Sequence, residues 1–203
     1  GYDKIPETIP RIVEQPTPKP MDMIVAGRMR QILTGMGFDE IMTYSLLSKK
    51  TVNIAGVTEG SIVEIKNPLS GEQEIMRPSH MAGLFTSVLW NINRKTKDLK
   101  FFEIGNIYIR ESEDRFTEKL ALSIGITGQM FQGWIGGSRG YDFFDLKGAI
   151  ETMLAELGVK TSTINDSNDE RFSQAARASL EINGEKIGVL GEVDPGILKN
   201  FDI

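Results

Sequence analysis

Residues 67–110 read NPLSGEQEIMRPSHMAGLFTSVLWNINRKTKDLKFFEIGNIYIR and place a turn, a helix and a strand in immediate succession. Asn67-Pro68 and Ser70-Gly71 are turn formers, because Pro fixes its own φ and pushes the preceding residue out of the helical region, while Gly accepts a positive φ. They are expected to end a strand over residues 61–66. Over residues 78–91, the apolar side chains Met81, Leu84, Phe85, Val88 and Leu89 recur at helical spacing. An amphipathic helix follows, with Pro78 near its start, where a missing N–H is harmless. The run Asn93-Arg94-Lys95-Thr96-Lys97 breaks it. Residues 99–109 then bring Phe101, Phe102, Ile104, Ile107, Tyr108 and Ile109, too apolar on both sides for an exposed strand, so a central strand is predicted.

Working outward, residues 1–20 hold Pro6, Pro10, Pro16, Pro18 and Pro20 and read as an extended entry arm, with GYDKIP looking like a piece cut from a longer chain. Residues 21–36 predict a helix with Val25, Met29, Ile32, Leu33 and Met36 on one stripe, stopped by Gly35 and Gly37. Met23, Ile24, Ala26 and Gly27 widen its apolar surface, so this helix has two faces to cover. Periodicity alone favours covering both inside one domain. A strand over 40–46 and a short helix over 49–55, capped by Ser48 and ended by Gly56, come next. Beyond the central strand, 111–118 reads as a charged hairpin-like connection, 119–128 as β and 130–140 as a mobile loop. A helix is expected over 145–157, with Leu146, Ile150, Met153, Leu154 and Leu157 inward, Asp145 at its start and Gly158 as its stop. Residues 165–170 read as a polar turn. Residues 178–182 and 186–193 form a hairpin about Asn183-Gly184, and Asp194-Pro195 opens a last short helix. The division expected is an arm, 1–20, and a core domain, 21–203.

Composition narrows the chemistry. With 203 residues, 40% hydrophobic and 25% charged, the chain can bury a full core. Zero cysteines exclude disulfides, thiolate nucleophiles and thiolate metal sites, and the single histidine, His80, leaves little for a His-based metal or acid–base site. A net charge of −5 argues against broad capture of nucleic acid. No apolar run approaches the ~20 residues needed to cross a bilayer, so no membrane partner and a cytoplasmic location are expected.

The run NPLS, then MR, Leu84, WNINR and KFFEIGNIY in fixed order, together with GYDKIP (1–6), GFDEIMTYSL (37–46), YDFFDLKGAIETML (141–154) and IGVLGEVDP (187–195), resembles the bacterial-type beta chain of phenylalanyl-tRNA synthetase. The resemblance covers nearly the whole chain. It implies an α+β fold with a mostly antiparallel sheet flanked by helices, similar to the class II aminoacyl-tRNA synthetase core, in a segment that ends before that core is complete. It also implies a catalytic-like module, inactive itself, which docks the catalytic alpha chain in a two-alpha, two-beta assembly alongside the rest of the beta chain. ATP and Mg²⁺ belong to the whole enzyme, with no cofactor in this segment, and tRNA is met through the whole complex. The long helix leading into a strand resembles the class II dimerisation motif, which makes Met23, Ala26, Gly27, Met29, Arg30 and Leu33 candidate subunit-interface residues. If Gly105-Asn106-Ile107-Tyr108 is matched to the family's catalytic pattern, Ile109 stands where the catalytic chain has an arginine, and isoleucine cannot donate to a phosphate. The sequence FSQAAR (172–177) stands where the family often shows His-Pro-Gly.

Other candidates have plainer readings. The glycine-rich GGSRG (136–140) lacks P-loop spacing and reads as a surface loop. Arg94, Lys95, Lys97 and Lys100 read as cations offsetting a helix C-terminus before they read as a tRNA contact. His80 reads as a hydrogen-bonded structural residue, Arg77 and Glu103 as an ion pair, and Asp142 and Asp145 as helix-start charges rather than metal ligands with Glu151 and Glu156. The rival functions are a tRNA-contacting binding module and a freestanding amino-acid-activating domain.

Overall fold

The computed structural model describes residues 1–8, 17–57, 62–130, 137, 139–160 and 162–203. Helix α1 (Met21–Gly35) leads into strands β1 (Asp39–Glu40) and β2 (Leu46–Leu47) and helix α2 (Lys49–Ile54). Strands β3 (Val63–Glu64) and β4 (Ile75–Met76) precede helix α3 (Met81–Ile92), which feeds the long hairpin of β5 (Leu99–Arg110) and β6 (Phe116–Thr127). The pair β7 (Gln129–Met130) and β8 (Arg139–Gly140), helix α4 (Phe143–Glu156), strands β9 (Ser162–Asp166), β10 (Phe172–Ile182) and β11 (Glu185–Val193), and helix α5 (Pro195–Asn200) follow.

Strand β5 is the middle of a β1-β5-β6 sheet, parallel to β1 and antiparallel to β6 in unbroken register from Leu99↔Thr127 to Arg110↔Phe116. Its two faces explain its apolar composition. Leu99 and Phe101 pack with Leu84 of α3, whereas Phe102 packs with Leu33 of α1 and with Ile150, Met153 and Leu154 of α4. Each such buried side chain is worth ~1.5–3 kcal/mol. The antiparallel β11-β10-β9 sheet adds Ala178, Leu180 and Leu190 to the α1/α4 cluster. At the other end α2, α3 and α5 meet in a smaller core, where the rings of Phe85 and Phe201 lie edge to face with centroids 5.1 Å apart.

The central strand, the Asn183-Gly184 hairpin and the last helix form as expected; Asn183 (φ 53°) and Gly184 (φ 81°) take the paired positive φ of a type I′ turn. Several boundaries differ. The strand expected over 40–46 divides in two, β1 pairing with β5 and β2 with β4, because the segment crosses between sheets. The strand expected over 61–66 is reduced to β3, and its partner β4 gave no signal in so short a stretch. Helix α3 begins at Met81, so Pro78 lies before it rather than in its first turn. Helix α4 begins at Phe143, because Asp142 is its cap: Asp142 accepts from Phe144 N and Asp145 N, and Asp145 accepts from Asp142 N. Part of the polar 165–170 segment is strand, since β9 runs to Asp166 as a partner of β10; its polar composition hid it. Strand β10 starts at Phe172, with a register shift before Arg177, and β6 starts at Phe116. Most of the 130–140 loop and residues 9–16 of the arm lie outside the described residues.

Candidate functional site

The chemistry-bearing side chains that the fold brings together are Arg77, Glu103, Thr43 and His80. Strand alternation puts Glu103 on the β5 face that carries Leu99 and Phe101, toward α3. Arg77 sits between β4 and α3, where its backbone bridges two segments: Arg77 N donates to Ser45 O at 2.8 Å and Arg77 O accepts from Tyr108 N at 2.9 Å. Arg77 and Glu103 are both buried, and Arg77 Nη1 donates to Glu103 Oε1 at 2.5 Å. Two of the three guanidinium nitrogens are engaged, with Nε donating to Asn106 O at 2.8 Å and Nη1 also to Thr43 O and Thr43 Oγ1, each at 3.2 Å. The carboxylate also accepts from Thr43 N at 3.1 Å and from Thr43 Oγ1 at 2.7 Å. Gly105 is needed here, since a Cβ at that position would overlap Arg77 Nη2.

Beside this pair, His80 Nδ1 and Ser123 Oγ share a 3.1 Å hydrogen bond. Burial of the imidazole, helped by the Arg77 charge and opposed by Glu103, holds the His80 pKa below its ordinary 6.5. Over the network opens a cleft lined by Met42, Thr43, Tyr44, Ile104 and Gly105, with Arg77 and Glu103 at its base. Chemically the arrangement is an internal ion pair whose charges neutralise one another. The expected ion pair is present, and it ties the segment after β1 to β5 and to the entry of α3.

The remaining candidates fall elsewhere. Arg94 stacks on Trp90, 3.5 Å from the ring centroid, and donates to Trp90 O, while Lys100 Nζ donates to Met36 O at 2.6 Å. Both thus serve the C-terminal carbonyls of helices, while Lys95 and Lys97 are exposed. From the GGSRG stretch, Arg139 forms paired 2.6 Å hydrogen bonds to Asp145, and Gly136 and Ser138 lie outside the described residues. Glu151 pairs with Lys147 and Glu156 with Arg28, so the acidic residues of α4 serve separate partners. Among the described residues, no group of three His, Asp or Glu side chains could hold a metal ion. Ile109 lies on β5 opposite Thr117, and FSQAAR forms the start of β10. Of the interface candidates, Ala26 and Leu33 are buried in this chain's own core, Gly27 and Met29 are half-buried, and Arg30 is bound to Glu40 at 2.6 Å. Met23 is 60% exposed and joins Met21 and Ile24 in an apolar surface at the start of α1. Sequence reading did not single out Thr43; only the fold carries it to Glu103, sixty residues away in the chain.

A sheet of this order with helices on both faces is the class II aminoacyl-tRNA synthetase fold. The chain superposes on pyrrolysyl-tRNA synthetase from Desulfitobacterium hafniense with a TM-score of 0.70, over 91% of this chain and 63% of that one, at 15% identity. An ATP phosphoribosyltransferase regulatory subunit/histidyl-tRNA synthetase from Bacillus halodurans gives a TM-score of 0.56 over 77% and 41% of the two chains, also at 15% identity. Within that class, residues 5–203 match the phenylalanyl tRNA synthetase beta chain CLM domain, and the chain belongs to that family. Its relatives include the phenylalanine–tRNA ligase beta subunits of Syntrophus aciditrophicus (33% identical over 210 residues) and Listeria monocytogenes (33% over 207), each aligned over 100% of this chain. The chain spans 26% of the length of each of those relatives. No helix among the described residues is long and apolar enough to cross a membrane.

Proposed function

We propose that this domain is a non-catalytic structural module of the beta subunit of phenylalanine–tRNA ligase, docking the catalytic alpha subunit in a two-alpha, two-beta cytoplasmic enzyme and so supporting phenylalanyl-tRNA formation. The observation that carries the reading is the buried Arg77–Glu103 pair. A class II reaction needs a guanidinium free to hold phosphates as charge develops, and the arginine in this cleft is neutralised by Glu103 and has its Nε and Nη1 engaged by Glu103, Thr43 and Asn106. Ile109, at the matched position on β5, has no donor to offer. ATP, Mg²⁺, phenylalanine and tRNA are then handled by the rest of the enzyme.

Docking is supported by the apolar side chains the domain leaves in solvent. Met21, Met23 and Ile24 are exposed on α1, and Met42 and Tyr44 are exposed after β1. Permanent interfaces are apolar and commonly bury more than ~2,000 Å², and this surface is the part of α1 not used by the domain's own core. Light scattering on a size-exclusion column tests the reading, with this chain run alone and mixed with the alpha chain. A heavier mixed species is expected. Phenylalanine-dependent pyrophosphate exchange by this chain alone would overturn the non-catalytic role.

A further inference from the structure

The chain has no cysteine, so its nine methionines carry all of its sulfur. Three of them are exposed: Met21 at 71%, Met23 at 60% and Met42 at 94%. The other six, Met29, Met36, Met76, Met81, Met130 and Met153, are half-buried or buried. Met21 and Met23 open α1 and Met42 follows β1, two elements tied together by the 2.6 Å bond of Arg30 to Glu40. All three exposed methionines are side chains of the docking surface proposed above, and their role here rests on that reading.

A thioether suits an apolar interface because it is flexible and polarisable. The same sulfur is open to two-electron oxidants wherever it meets solvent. A sulfur lone pair attacks one oxygen of hydrogen peroxide, the O–O bond breaks, an S–O bond forms and water leaves, so the sulfur is oxidised and the peroxide reduced. No thiol of this chain competes for the oxidant. The product is a polar, chiral sulfoxide, whose oxygen loses its hydrogen bonds to water when an apolar partner covers it. A dithiol reductant reverses the step, removing the oxygen as water and becoming a disulfide.

We propose that Met21, Met23 and Met42 make docking oxidation-sensitive: hydrogen peroxide converts them to sulfoxides while the chain is unassembled and so blocks its association with the alpha chain, whereas the bound partner shields them.

The test treats this chain with hydrogen peroxide, maps the sulfoxides by peptide mass spectrometry and measures association with the alpha chain by titration calorimetry. In the free chain, Met21, Met23 and Met42 should oxidise ahead of Met153, which is 4% exposed, and association should weaken by about tenfold or more. In the preformed complex the same three should resist the same treatment. Met21→Leu combined with Met23→Leu and Met42→Leu keeps an apolar side chain of similar volume at each place and should associate equally well before and after peroxide. The proposal is overturned, with docking itself still standing, if the oxidised chain associates as the untreated chain does, if the triple variant loses association on treatment as the wild type does, or if the three oxidise equally in the complex. Should the variant fail to fold, the wild-type sulfoxide map and association decide alone. An untreated chain that forms no complex removes docking, and the proposal with it.

Discussion

Arg77 Nη1 lies 2.5 Å from Glu103 Oε1, with the two side chains 6% and 1% exposed. The domain thus buries an ion pair between its central strand and the entry to α3. Such a pair adds little over a matched apolar pair, but breaking it leaves an uncompensated charge.

Glu103→Gln keeps an acceptor for Thr43 and strands the Arg77 charge, while Arg77→Ala strands the carboxylate. Each is expected to lower stability in urea by ~3–5 kcal/mol. Arg77→Met combined with Glu103→Leu should cost less than the two single changes summed, because neither charge remains. A loss under ~1 kcal/mol for Glu103→Gln would be the behaviour of a screened surface pair and would sink the assignment.

Two helix glycines should respond with opposite sign. A Cβ at Gly83 of α3 would collide with the Thr43 side chain, whereas one at Gly27 of α1 meets nothing within 4 Å. Gly83→Ala is expected to destabilise by ~1–3 kcal/mol through overpacking. Gly27→Ala should stabilise by up to ~1 kcal/mol through helix propensity. Thermal unfolding of the two variants checks both signs; a stabilised Gly83→Ala would refute the close approach of α3 to Thr43.

The α4 cap should be visible in acid. Asp142→Ala removes the acceptor for Phe144 N and Asp145 N and is expected to cost ~0.5–2 kcal/mol. Hydrogen bonds from Arg139 hold the Asp145 carboxyl down to about 2, against an ordinary 3.8. A carboxylate depressed in the folded state contributes its stability in full above its unfolded value and loses it as pH falls through the folded one. The contribution is therefore complete above 3.8 and declines toward 2. Urea midpoints across that window should fall in the wild type and fall less in Asp145→Asn.

Docking and core positions of α1 should separate cleanly. Met23→Asp lies on the exposed face and should change folding stability by no more than ~0.5 kcal/mol while weakening association with the alpha chain by about tenfold or more. Leu33→Ala, inside the core, should cost ~2–5 kcal/mol. Unchanged association for Met23→Asp together with Ile24→Asp would move the docking surface elsewhere.

Elements with a strong local signal were legible in sequence. The period of α1, α3 and α4 and the Asn-Gly turn are properties of a few consecutive residues, and so is the two-sided apolar run of β5. The strands expected over 40–46 and 61–66 shrink to the two-residue β1, β2 and β3, while β4, also two residues long, and the polar β9 were marked by neither period nor composition. Pairing with a distant partner makes them strands. In the candidate site, Arg77, Glu103 and His80 stood out by residue type, while Thr43 did not, because its role exists only where β5 and α3 meet.

By itself the sequence determined the α+β class, the central turn, helix and strand unit, and the absence of cysteine chemistry, since these rest on local periodicity, turn residues and counts. The ordered motifs determined the family. Tertiary structure alone decided that Ala26 and Leu33 face inward while Met23 faces solvent, because an apolar stripe does not say which neighbour covers it. It also decided that Arg77 pairs with Glu103. Charges 26 residues apart become partners only when strand alternation and the α3 entry bring them to one buried place, where the low dielectric makes that pairing obligatory.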